Sequence, residues 1–263
     1  MVHLLVAAAA LSAASPAASP ANADPAIFMV RDADTTIYLF GTFHALDGQS
    51  EWFNDQVKDA FEKSNELVLE TLVPEGPNPA MSFKQPVRMP NVTASASFLA
   101  STRMAINAGK SQGMQVGNGA DMVLRHAAEL EGNPVAGLET LEAQLNMFTH
   151  MPAALNSAAP QPGSPASAAS MEGLSKAMTD MQSAWKRGDQ TVFVRMLSQL
   201  KQASPDTYRM LFTERNARWA DWIAGRMQTP GTVFVAVGAG HLAGGDSVLV
   251  RLAQMGITST RVN

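Results

Sequence analysis

TTIYLFGTFH, residues 35–44, is the stretch from which the fold can be read. Thr35–Phe40 is a short run of β-branched and aromatic residues, the composition of a strand, and it passes directly into Gly41-Thr42-Phe43-His44. Upstream, Ala26–Val30 is a second apolar run. Asp32-Ala33-Asp34 separates the two, and the pair reads as a β-hairpin. Downstream, Ser50 can cap a helix with Glu51 in its first turn, and Phe53, Val57, Ala60, Phe61 and Ser64 form its inner stripe. Residues 66–70, ELVLE, then read as a buried strand closing on a carboxylate. Strand, loop, helix and strand make a right-handed crossover, the building block of a parallel sheet.

Further along, Pro74, Pro77, Pro79, Pro86 and Pro90 break any regular element, and helices are expected near 95–108 and 119–131. PVAGL at 134–138 reads as a third parallel strand, closing on Glu139. Residues 151–170 hold 15 Ala, Ser or Pro and no charge, which predicts a flexible surface loop. Long helices are expected over 171–200 and 206–227. Residues 232–237 read as the last long strand, 246–255 as a helix and 258–262 as a closing strand. The fold class is α/β.

The chain has 263 residues, with 19 Lys+Arg against 23 Asp+Glu and a formal charge of −4. That balance gives no electrostatic support for a nucleic-acid or anionic-membrane partner. Hydrophobic residues at 46% supply a core and argue against global disorder. The absence of cysteine excludes disulfide scaffolds, thiolate zinc sites, iron–sulfur clusters and cysteine nucleophiles. Leu4–Ala14 is an 11-residue apolar stretch, short of the ~20 that span a bilayer. Small residues follow and end in Ala21-Asn22-Ala23, which matches a signal-peptidase site after Ala23, although residues 1–23 carry no Lys or Arg. The expectation is a leader over 1–23 and a periplasmic or secreted chain over 24–263, with no membrane span. No protein partner is predicted.

Four chemistry-bearing residues share one topological property. His44, Glu70, Glu139 and His241 each lie at, or one turn beyond, the carboxyl end of an expected strand. In an open parallel sheet those ends form one rim, where such folds bind ligands. Two imidazoles and two carboxylates suit a divalent cation, and serve equally as an acid/base set without metal. Arg215 falls in the middle of the apolar face of its helix, among Tyr208, Leu211, Phe212, Trp219, Trp222 and Ile223. A guanidinium there needs a carboxylate partner, with Glu70, Glu139 or a substrate oxyanion as candidates. Asn216 sits at the edge of the same face. Gly-x-Ser-x-Gly, His-Glu-x-x-His and Walker patterns are absent.

These blocks resemble the TraB/GumN family, which includes the TIKI-type metalloproteases. The likeness rests on Gly41-Thr42-Phe43-His44, Glu70 after Leu67-Val68-Leu69, and Gly137-Leu138-Glu139-Thr140. Trp185-Lys186-Arg187-Gly188-Asp189, Arg215-Asn216 and Val237-Gly238-Ala239-Gly240-His241-Leu242 complete it. The resemblance implies a single domain similar to erythromycin-esterase-like and ChaN-like folds: a central, mostly parallel sheet started by a β-hairpin, helices on its faces and a helical insertion. It also implies a metal-dependent, peptidase-like hydrolase. His44 and His241 with one glutamate would hold Mn²⁺, Co²⁺ or Zn²⁺, the other glutamate would take a proton from water, and Arg215 with Asn216 would steady an oxyanion. The alternatives are a metal-independent esterase-like hydrolase and a non-enzymatic periplasmic protein that holds a ligand such as haem.

Overall fold

The computed structural model describes residues 23–49, 51–72, 107–150 and 165–263. They build one six-stranded sheet of β1 (Ile27–Arg31), β2 (Thr35–Thr42), β3 (Glu66–Thr71), β4 (Val135–Glu139), β5 (Gly231–Gly238) and β6 (Thr260–Arg261). The spatial order is β4-β3-β5-β2-β1-β6. β4, β3, β5 and β2 run parallel, while β1 joins β2, and β6 joins β1, antiparallel. The expected mostly parallel α/β sheet, opened by a hairpin, is present. β5 comes late in the chain yet inserts between β2 and β3, so the crossover from β2 to β3 spans two positions.

Side-chain alternation sorts the apolar residues into two cores. Phe40, Leu67, Leu69, Phe234 and Ala236 face one side of the sheet, and Leu39, Val68, Val233, Val235 and Val237 the other. The last six residues of β5 are all buried, as expected of a central strand covered on both faces. Helices α1 (Asp55–Glu62) and α2 (Ala120–Glu131) pack on the first face through Val57, Ala60, Phe61, Leu124 and Ala128. After α3 (Leu141–Thr149), helices α4 (Pro165–Lys186) and α5 (Thr191–Ala203) add Trp185 and Phe193 to that core. Helices α6 (Glu214–Arg226) and α7 (Val248–Gln254) cover the second face through Trp219, Ile223, Val248 and Leu252.

Several boundaries differ from the sequence reading. Helix α1 starts at Asp55, and its N-cap is Asn54, whose side-chain oxygen accepts from the Val57 N–H at 3.5 Å. Ser50 lies outside the described residues. The chain before Asn54 is held instead by Trp52, which is buried and stacks on Phe40 with ring centroids 5.7 Å apart. The helix expected over 171–200 is two helices, parted at Gly188, whose φ of 62° is the left-handed conformation that glycine adopts freely. The loop expected over 151–170 does not include its last six residues. Residues 165–170 already belong to α4, where Pro165 takes the first helical position and alanines favour the helix. Residues 151–164, residues 95–106 of the helix expected over 95–108 and residues 1–22 of the expected 1–23 leader lie outside the described residues, while residues 107–111 are helical. Ala23 is buried, and its carbonyl accepts from Asn54 Nδ2 at 2.5 Å. Among the described residues no helix is long and apolar enough to cross a membrane.

The expected helix over 206–227 is also interrupted. A helical turn at Pro205–Tyr208 leads into a π-helical turn at Arg209–Thr213 before α6 begins. A π turn adds about one residue per turn and so shifts the helical phase. Tyr208 and Phe212 accordingly pack with the first core, whereas Trp219 and Ile223 belong to the second.

Candidate functional site

The carboxyl ends of β2, β3, β4 and β5 converge, and with them His44, Glu70, Glu139 and His241. Arg215 reaches the same point from the first turn of α6, two residues after the π turn. It is 5% exposed, and its guanidinium is spent on protein groups. Nη2 donates to Glu70 Oε2 at 2.8 Å and to Glu139 Oε1, while Nε donates to Glu139 Oε2 at 3.2 Å. Nη1 donates to His241 Nε2 at 3.2 Å and to the Leu211 carbonyl at 3.4 Å. The guanidinium carbon also stacks over the Trp219 ring, 4.5 Å from its centroid. The partner that sequence reasoning demanded is therefore both glutamates together. Glu139 gives both its oxygens to Arg215, so it orients the guanidinium. Glu70 keeps Oε1 for the Gly238 N–H at 2.6 Å, and that oxygen stands 3.7 Å from His241 Nε2.

Each imidazole is anchored through Nδ1. His241 Nδ1 donates to Asn216 Oδ1 at 2.6 Å, and Asn216 Nδ2 donates to the Asp246 carbonyl at 2.8 Å, which fixes the way the amide faces. His44 Nδ1 meets Asp121 Oδ1 at 3.2 Å. Both rings thus turn Nε2 towards the same space. Gly238 borders that space: a Cβ built there would stand 3.1 Å from Glu70 Oε1 and 3.3 Å from His44 Nε2. Any other residue would crowd the two groups apart, so the glycine keeps the cradle open. His241 is clamped between Phe212 and Trp219, with ring centroids 4.8 and 4.5 Å away.

The electrostatics differ between the two histidines. Burial disfavours a charge on His241, Glu70 opposes that effect, and Arg215 and His44 reinforce it, so its pKa falls to about 3. Burial also works against the Glu70 carboxylate. His241, Arg215, His44 and the Gly238 N–H outweigh it and bring Glu70 down to about 2. At neutral pH the pair is a carboxylate beside a neutral imidazole. The His44 side chain is 59% accessible because it faces an open cavity, with protein on its other sides. Desolvation there resists protonation, but the hydrogen bond and charge of Asp121, aided by Glu70, raise His44 to about 9.

The cavity over this set holds about 650 Å³. Glu70, Arg215 and His241 form its polar floor, and methionines and phenylalanines from α4, α5 and the π turn form its wall. Thr42 and Thr71 also line it, and neither Oγ1 has a hydrogen-bond partner among the described residues.

All six residues named from the sequence are thus brought together. Asn216 touches His241 and the loop after it, which makes it a positioning group, and Arg215 does the same for the glutamates. Two residues escaped the sequence reading. Asp121 sits in the first turn of α2, where an acid is common for helix-dipole reasons alone, so nothing marked it out. Asp246 anchors the glycine-rich loop after His241, its carboxylate held by Lys201, Tyr208 and Arg251. Among the described residues no group of three or more His, Asp or Glu is arranged as it stands to hold a metal ion. Arg215 takes the place between them. A sequence model of the TraB/PrgY/gumN family matches residues 26–91 and 84–261, a span that includes every residue of the site. No curated protein and no solved structure matches the chain.

Proposed function

The chain belongs to the TraB/PrgY/gumN family, and from that premise and the site geometry we propose an exported hydrolase acting on a peptide or related carbonyl substrate. The observation that carries the reading is the pair of Nδ1-anchored imidazoles, turning Nε2 to one space beside an ionised, buried Glu70. Anchoring through Nδ1 is how proteins orient a histidine for ligation or for proton transfer.

The donors fit a divalent cation in kind. His44 Nε2, His241 Nε2 and Glu70 would hold it, with Arg215 withdrawn from His241, while Glu139 stays paired to the guanidinium. Bound there, Mn²⁺, Co²⁺ or Zn²⁺ would polarise a carbonyl and acidify a water. The chain's own groups have separate tasks. Glu139 and Trp219 orient Arg215, Arg215 holds Glu70 ionised, and Asn216 keeps the His241 tautomer. His44, the member most open to the cavity, stands where it can pass a proton to or from a substrate. A second reading, hydrolysis without metal, is favoured by one contact: Arg215 Nη1 already occupies His241 Nε2. In that reading His44 is the general acid/base.

Metal content by ICP-MS, on protein purified without chelator, tests the first reading. About one ion per chain is expected in the wild type, and none in His44→Ala or His241→Ala. No ion after Mn²⁺, Co²⁺ and Zn²⁺ are each offered, with chelator-resistant turnover lost in His44→Ala, selects the second. No turnover of any peptide, amide or ester in the presence of each metal overturns the hydrolase reading itself.

A further inference from the structure

The cavity is divided by polarity. Its floor carries Glu70, Arg215 and His241, whereas Met178 and Met181 of α4, Phe193 and Met196 of α5, and Leu211 and Phe212 of the π turn form its wall. We infer that the site takes a carbonyl substrate bearing an extended, flexible apolar chain, which lies along this wall while the carbonyl meets the floor over Gly238. This deepens the hydrolase reading and depends on it only for the fate of the bound carbonyl.

Three observations carry the inference. The volume, about 650 Å³, is that of a site which swallows most of a small amphiphile. The wall is rich in methionine, whose unbranched thioether side chains adapt to a mobile alkyl group better than rigid aliphatics do. The wall is also helical, so its backbone N–H and C=O groups are engaged within α4 and α5. An alkyl chain laid along it has no polar groups to satisfy, and a peptide substrate would present an apolar side chain there while its own amides face the rim. The polar end is equally placed: a Cβ at Gly238 would stand 3.1 Å from Glu70 Oε1 and 3.3 Å from His44 Nε2, so the glycine leaves between them the space that a substrate carbonyl group enters.

The test uses uncharged amides of increasing length, acetamide, butanamide, hexanamide and octanamide, displacing the dye 1-anilinonaphthalene-8-sulfonate from the full protein. Affinity is expected to rise about fourfold per added methylene until the cavity is filled. Met181→Glu places a charge in the wall and should weaken octanamide about tenfold or more while leaving acetamide unchanged. Met196→Trp fills space without charge and should lower the preference for octanamide over butanamide. Far-UV circular dichroism checks that both variants are folded. Affinity independent of length, or a length dependence unchanged in both folded variants, overturns the inference. Length-dependent binding with no turnover of the matching 4-nitrophenyl esters, the matching anilides or any peptide in the presence of each metal would sink the hydrolase reading and leave the chain-binding site standing. Turnover with no length preference would do the reverse.

Discussion

At the scale of single residues, Arg215 joins more of the site than any other side chain. Its position on an apolar helical stripe was visible in the sequence, and so was its need for a carboxylate. Which of two glutamates would answer was not, because Glu70 and Glu139 end strands that lie next to each other only in the folded sheet. Both answer, and each is 13% exposed or less. Removing the cation leaves two buried carboxylates facing one another. Arg215→Met is therefore expected to destabilise the fold by about 3–5 kcal/mol, read from urea unfolding at neutral pH. Adding Glu70→Gln and Glu139→Gln to that variant should restore most of the loss. A single variant as stable as the wild type would show that the guanidinium does not balance the pair.

At the scale of elements, the interest lies in how helices are stopped and pinned close to the sheet rim. Trp185, at the end of α4, donates its Nε1–H to the Gly41 carbonyl at 2.6 Å, which fastens the helix to the strand that delivers His44. Three residues later Gly188 reverses the chain. A Cβ there would stand 2.8 Å from the Asp24 carbonyl as well as requiring a left-handed backbone. Gly188→Ala is expected to cost more than the ~1–2 kcal/mol of the backbone alone, because the carbonyl cannot yield as a side chain can. Thermal unfolding measures this directly, and an unchanged Tm would contradict the packing described. The sequence showed the apolar periodicity on both sides of Gly188 and so suggested one long helix. A glycine inside a helical pattern stops a helix only where tertiary contacts prefer the left-handed turn.

For the molecule as a whole, the site's charges shape stability against pH. His241 and Glu70 titrate at about 3 and about 2 in the folded chain, below their ordinary values of 6.5 and 4.5. The unfolded chain thus binds more protons than the folded one throughout the acid range. Their contribution is complete above pH 6.5 and is lost as pH falls towards 3 and then 2. His44, raised to about 9, has the opposite sign: its contribution is complete below pH 6.5 and is lost as pH climbs through 9. For metal-free protein, Tm is expected to peak near pH 6.5 and to decline on both sides. His44→Gln should flatten the alkaline side alone, and differential scanning fluorimetry from pH 3 to 10 reads both limbs. A Tm that does not change between pH 3 and 6 would contradict a neutral, buried His241.

Local sequence determined the strands, the hairpin, the two Gly-x-x-His turns and the inward position of Arg215 on its helix, although the π turn divides the stripe around it between two cores. Those depend on period, on turn residues and on side-chain burial within a few positions, all of which a linear chain displays. Tertiary structure decided the rest. It inserted β5 between β2 and β3, placed Asp121 against His44 and Asn216 against His241, and gave both carboxylates to one guanidinium. Those choices compare partners more than twenty residues apart. Their free energies come from apolar burial around β5, from hydrogen bonds that orient the imidazoles and from burying the Arg215 charge with its counter-charges, which no local pattern records.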